Sequence, residues 1–354
     1  MLRKTSRLMR VNLLVMCALS VLCGCQYNTD YVIEWHEEKT FKLDEINTEV
    51  LTSYEILPLS RELLHAKDFW VYQDTVLIVL NKPTSDYWVE FYSTKSGAML
   101  TRKIRKGNGP MEMLNCNARV NTDSLYVRDF VKGNYTVIDL KEIIQYKDAY
   151  ELEPFKKYKE ELNVYDVHEI GGKMLFLNPY CFSSSDDGVD NKEPRFFYSD
   201  GRNPDTRKLN AFNVSQGHIL INESKRLVLF AGLDLSQIEI YDYSLAPLTK
   251  ITGPKKLNVK YSYNDGRVSF FEAVFYSYMG ACNAGDSFYV TYSGQNVEKI
   301  SGTYIFQFDW SGNLLGSFFL DKYLATISTS SDGNTLYVRG KDDDGLVVLY
   351  KFHR

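Results

Sequence analysis

The sequence predicts an all-β chain folded as a six-bladed β-propeller, and three observations lead there. A unit of about fifty residues recurs six times; its strands are rich in β-branched and aromatic residues and bounded by turn formers; and almost nowhere does the apolar pattern take a helical period. The copies start at Asp74, Asp123, Gly172, Ser224, Asp286 and Gly333, in steps of 49, 49, 52, 62 and 47 residues. That spacing suits a four-stranded blade better than a helical solenoid unit.

Each start opens a short apolar strand, such as Thr75-Val76-Leu77-Ile78-Val79 or Ser287-Phe288-Tyr289-Val290. A partner strand follows in every copy, predicted over 87–93, 135–140, 195–199, 237–243, 303–310 and 346–352. Phe308-Asp309-Trp310-Ser311-Gly312-Asn313 is the clearest hairpin turn, since Asp bonds its own turn backbone and Gly supplies a positive φ. The segment Leu140–Leu162, interrupted by Pro154, reads as a connection with one short helix. Only two obvious strands follow Gly333, whereas residues 41–57 look extended. An N-terminal strand near Thr48–Leu57 is therefore expected to complete the last blade and remove an open sheet edge.

The first residues have a different purpose. Arg3, Lys4, Arg7 and Arg10 precede the apolar run Val11–Leu22, the pattern of a secretory signal peptide over residues 1–24. A dozen apolar residues are too few to span a bilayer core, which needs about 20. Removing this segment leaves 37 basic against 45 acidic side chains, about −8. Such a balance, without a basic stripe, argues against nucleic acid as a partner. Apart from the signal and Cys25, the cysteines are Cys116, Cys181 and Cys282; an odd number at wide spacing does not make a disulfide framework, and all three read as small buried hydrophobes.

Leu22-Cys23-Gly24-Cys25 resembles the lipobox of bacterial lipoproteins. That resemblance implies a diacylglyceryl group on Cys25, with palmitate among its acyl chains, and a membrane anchor that two or more chains make stable. Residues 25–40 then form a lipid anchor and tether, and 41–354 the propeller domain. With Gln26 and no acidic run after Cys25, outer-membrane sorting is implied, facing the periplasm by default with the cell surface as the alternative. Three further stretches, Lys106-Gly107-Asn108-Gly109-Pro110-Met111-Glu112, Phe288–Gly294, and Phe308–Asn313 continuing to Leu320-Asp321, resemble the TolB-like six-bladed propeller lipoproteins of gut-type Gram-negative bacteria. The resemblance implies fold and address; for most of that family it implies no assigned activity.

Chemical motifs are sparse. The five histidines, at 36, 65, 168, 218 and 353, show no zinc-site spacing. His36 among Glu34, Glu37 and Glu38 reads as a solvated segment. Asp186-Asp187-Gly188-Val189-Asp190-Asn191 and Asp342-Asp343-Asp344-Gly345 are rich in oxygen ligands without the alternation of a calcium loop. The first lies in a long insert, 178–194, which makes Asp186, Asp187, Asp190 and Asn191 the candidate binding loop. Ser330–Asn334 approaches an Asp-box but misplaces its Gly, and no nucleophile elbow, phosphate loop or dinucleotide fingerprint occurs. Gly107, Gly109 and Pro110 read as structural turn residues, with both glycines expected at positive φ. No cofactor and no metal are expected. The expected function is a binding or scaffolding module for a glycan, peptide or envelope protein; the alternative is a propeller enzyme such as a lyase or glycosidase.

Overall fold

The computed structural model describes residues 34–59, 66–157, 166–177, 182–185, 188–191, 196–198, 217–233, 235–255, 261–264, 267–270, 275–296, 301–342 and 347–353. The chain is a β-propeller built from up-and-down sheets that follow one another along the sequence. The first sheet holds Ala66–Tyr72, Val76–Asn81, Tyr87–Ser93 and Met99–Lys106, with Glu112–Met113 added in parallel at its edge. The second holds Cys116–Asn121, Ser124–Asp129, Asn134–Asp139 and Lys156–Lys157. The third holds Asp166–Ile170, Lys173–Leu177 and Phe196–Tyr198. The fourth runs from Gly217–Asn222 to Pro247–Thr252, the fifth from Phe275–Ala284 to Leu314–Leu320, and the sixth from Leu324–Thr329 to Val347–His353.

All six repeat starts lead into the second strand of a sheet, and the predicted partners are the third strands. The blade count differs from expectation. Among the described residues five sheets are complete blades of four or five strands, against the six expected, and the third has three strands. A fourth strand of that sheet would come after Tyr198, where residues 199–216 lie outside the described residues. The 140–162 connection carries one short helix, Leu140–Tyr146, whose first turn is capped by Asp139 accepting from the Lys141 and Glu142 N–H groups.

Residues 37–57 do more than close one blade. β1 (Glu37–Thr40) adds in parallel to the outer edge of the fourth sheet, β2 (Glu49–Val50) in parallel to the fifth, and β3 (Glu55–Ile56) antiparallel to Tyr350 and Lys351 in the sixth. The expected closing strand is thus β3, the fourth strand of the last sheet, and it ends a strap across three consecutive outer edges. Pairing begins at Glu37, inside the stretch read as tether. The strap is held by side chains as well: Phe41 sits edge-on to Phe306 and Phe308, at centroid distances of 5.2 and 5.5 Å, while Leu51 and Leu57 are buried. Edge strands left open invite pairing with other chains, and the strap covers three of them.

The core lies between sheets. One apolar cluster joins the first and second sheets through Trp88, Phe91, Val127 and Ile138. Others join the third to the fourth, the fourth to the fifth and the fifth to the sixth. A last cluster packs Tyr337 and Leu349 of the sixth sheet against Phe69, Leu77 and Tyr92 of the first, which closes the ring. The second strands explain themselves: Val76–Asn81, VLIVLN, is buried at every position because neighbours cover both faces. The outer strand Met99–Lys106 is mostly open to solvent, with only Thr101 and Ile104 buried. Cys116 and Cys282 are buried free thiols, as expected.

Candidate functional site

In an up-and-down sheet the first-to-second and third-to-fourth turns share one end, and the second-to-third turns share the other end with the passages between sheets. All the first strands therefore start at one face of the ring. Most described turns at the opposite face are short, the exception being the 140–155 connection of the second sheet with its helix, and several are closed by a carboxylate: Asp309 accepts from the backbone N–H groups of Ser311 (2.9 Å) and Asn313 (2.8 Å), and Asp332 accepts from Asn334 N–H at 2.9 Å. The first face carries the long connections. Hairpin Phe182–Ser185/Gly188–Asn191 lies between the second and third strands of the third sheet, and hairpin Tyr261–Asn264/Arg267–Phe270 lies in the passage from the fourth sheet to the fifth.

Between the first strands lies a cavity of about 160 Å³ lined from all the sheets. Trp70, Arg119, His168, Leu220, Cys282 and Thr329 line it, and each precedes its own repeat start by four residues. Asp68 and His218 lie one alternation earlier, at minus six, and join the lining. The first strands are stitched together by side chains: Val71 N–H donates to Ser328 Oγ (3.0 Å), Thr329 Oγ1–H to the Asn283 carbonyl (2.9 Å), and Asn283 Nδ2–H to the Ile221 carbonyl (2.8 Å). A wall braced in this way is preorganised, so a ligand would not bear the cost of ordering it.

The charged part of the lining is an ion pair, Arg119 Nη1 to Asp68 Oδ2 at 3.0 Å, between two largely buried side chains. At the mouth, Lys67 Nζ donates to the Cys116 carbonyl at 2.9 Å and to Asn117 Oδ1, and its ammonium lies 5.7 Å from the Phe130 ring centroid. Arg128 stacks on the same ring at 4.5 Å. Arg339 braces the backbone by donating to the Ala66 and Lys67 carbonyls at 2.9 and 2.8 Å. Burial pushes the Cys282 thiol far above its usual range, so this lining residue is a protonated apolar group rather than a nucleophile. The cavity sets Arg119, Asp68, Asn283 and two imidazoles beside apolar side chains such as Trp70 and Leu220.

The sequence-predicted residues fall elsewhere. Asp190 and Asn191 lie on the first hairpin, paired with Ser183 and Phe182. Asp186, Asp187, Cys25 and residues 1–33 lie outside the described residues. Gly107, Gly109 and Pro110 form the passage from the first sheet to the second. Glu112 closes that loop: its carboxylate accepts the Gly109 N–H at 2.8 Å, and Lys132 Nζ donates to the Gly109 and Glu112 carbonyls, both at 2.7 Å. Gly107 has φ +155°, and a Cβ there would fall 2.1 Å from the Glu112 carboxylate. The expectation of positive φ at Gly109 is corrected, because Gly109 keeps an ordinary backbone and only its closeness to Glu112, 3.0 Å from a built Cβ, restricts it. Sequence reasoning missed the channel residues and the second hairpin. Asp265-Gly266 between Tyr261–Asn264 and Arg267–Phe270 is a two-residue turn signal that marks that hairpin, inside the unusually long 62-residue step.

No family model and no curated protein matches the chain in sequence. Solved structures do resemble it. A protein assigned to export in Bacteroides fragilis matches with a TM-score of 0.55 at 11% identity, over 90% of this chain and 99% of its own. A member of the DUF4221 family from Bacteroides vulgatus matches with a TM-score of 0.53 at 8% identity, over 86% of this chain and 98% of its own. At these identities the likeness is one of fold alone, and the fold is the β-propeller.

Proposed function

We propose that the protein is a lipoprotein of the outer membrane, TolB-like in architecture, whose six-bladed propeller binds a polar ligand at the channel mouth rather than transforming it. The observation that carries the binding reading is the lining ring: one residue from every repeat, at a fixed offset, converges on one braced polar cavity. The same ring supports six blades, since His168 brings the third sheet to the channel on equal terms with the others. Asp68, the carboxylate among the described lining residues, is committed to Arg119, which suits recognition better than proton transfer. The lipobox resemblance at Leu22–Cys25 and the exported neighbour in Bacteroides fragilis support an envelope address. The ligand class that fits is a glycan, a peptide end or a loop of an envelope protein.

Calorimetry of the mature domain against a panel of peptidoglycan fragments, envelope oligosaccharides and short peptides tests this reading. A ligand that binds wild type should lose at least tenfold in affinity, about 1.4 kcal/mol, in Arg119→Ala, measured well below that variant's own melting transition. Undiminished binding by that variant, or conversion of the ligand to product, would overturn it. The anchor is tested separately by radiolabelled palmitate, which wild type should incorporate and Cys25→Ser should not.

A further inference from the structure

We propose that the N-terminal strap sets the stance of the propeller on its membrane, with the short-turn face toward the bilayer and the channel mouth with its two hairpins turned away, toward a partner in the aqueous compartment. This inference rests on the lipid-anchor reading of Cys25.

The direction of β1 carries it. In the fourth sheet the strands alternate, so the first strand, Gly217–Asn222, leaves the mouth face and the fourth, Pro247–Thr252, returns to it. β1 pairs in parallel with that fourth strand, Glu37 with Thr249 through Thr40 with Thr252. The chain therefore enters the ring from the short-turn face. The entry is pinned: the Trp35 ring packs 5.2 Å from that of Tyr241, near the short-turn end of its strand, Lys250 Nζ pairs with Glu38 at 2.7 Å, and Lys39 Nζ donates to the Ser311 carbonyl at 2.8 Å, in a turn of the same face.

Reach does the rest. Nine residue steps separate Cys25 from Glu34. Fully extended they span at most about 30 Å. The depth of the ring, set by strands of six or seven residues, is roughly 20 Å. In the proposed stance the anchor lies on the side from which the chain enters the ring, and the mouth stands clear of the headgroups by the ring's own depth. The inverted stance would draw the tether across that depth, most of its contour length. The mouth therefore meets soluble or polymeric partners of the envelope, and the short-turn face meets lipid.

The test uses the mature acylated protein reconstituted in phosphatidylethanolamine and phosphatidylglycerol vesicles that carry a lipid-linked acceptor dye. In a Cys181→Ser background a donor dye is placed at Val131→Cys, an exposed residue on the mouth face between Ser124–Asp129 and Asn134–Asp139, or at Asp286→Cys, an exposed residue of a turn on the opposite face. Acylation blocks Cys25, and Cys116 and Cys282 are buried. The expected result is a larger loss of donor emission from position 286 than from 131. Equal losses, or a larger one from 131, in protein that floats with the vesicles would overturn the stance while leaving the anchor intact. Protein that fails to float would overturn the anchor reading and the stance with it.

Discussion

Phe41→Ala probes the strap where it is most firmly packed. The ring of Phe41 meets Phe306 and Phe308 edge-on and belongs to the core between the fourth and fifth sheets. Truncating a fully buried Phe costs about 3–5 kcal/mol. Phe41 is half-buried, so about 2–3 kcal/mol is expected, including the aromatic edge contacts at about 0.5–1.5 kcal/mol each. An unfolding entropy near 2.1 cal/mol/K per residue over roughly 320 residues makes 1 kcal/mol worth about 1.5 °C. Calorimetric melting should therefore fall by about 3–5 °C. Val50→Ala is the internal control: Val50 belongs to the same strap but is 60% exposed, and its loss should shift melting by less than about 1 °C. A Phe41→Ala domain that melts within 1 °C of wild type would show that the strap does not hold the sheet edges, and the entry direction inferred from it would lose its footing.

Two further changes test local chemistry. Gly107→Ala should destabilise the mature domain by about 1–2 kcal/mol, because the displaced Glu112 carboxylate abandons the Gly109 N–H; Gly109→Ala, at ordinary φ, should cost less, and the reverse order in thermal melts would refute the loop geometry. Asp123 is held below the usual carboxylate range by its hydrogen bond to Lys141 and then by that from the Tyr72 hydroxyl. A depressed folded-state value stabilises fully above the unfolded pKa of about 3.9 and loses that contribution as pH falls through the folded value. The melting difference between wild type and Asp123→Asn should thus be present at neutral pH, at most about 1 kcal/mol for so exposed a pair, and vanish in acid; a difference that grows on acidification would contradict the assignment.

Much of the fold was legible in the residues. The repeat starts work because a turn precedes a strand that opens on buried apolar residues, as Val76–Asn81 illustrates. Ring closure was legible as a strand deficit after Gly333. The strap was not, because Glu37–Thr40 is EEKT: it joins an outer edge by backbone hydrogen bonds, with three of its four side chains exposed, so no apolar period announces it. The channel was legible only after the fact. Trp70, Arg119, His168, Leu220, Cys282 and Thr329 share a position but no chemistry, so no repeated residue type marks them. Searching for chemical motifs passes over such a ring; aligning the repeats on their starts reveals it. The acidic candidates at 186–191 drew attention by composition; Asp190 and Asn191 stand on a hairpin of the long insert.

Whether six blades surround one channel is decided most directly by a crystal structure of the mature domain. The expected result is a fourth strand from residues 199–216 on the outer edge of Phe196–Tyr198, six sheets around the axis, β3 as the last strand of the sixth, and Arg119, His168 and His218 facing one cavity. A ring of five sheets with 166–198 outside it, or a seventh sheet, would contradict the shared channel and the binding site drawn from it.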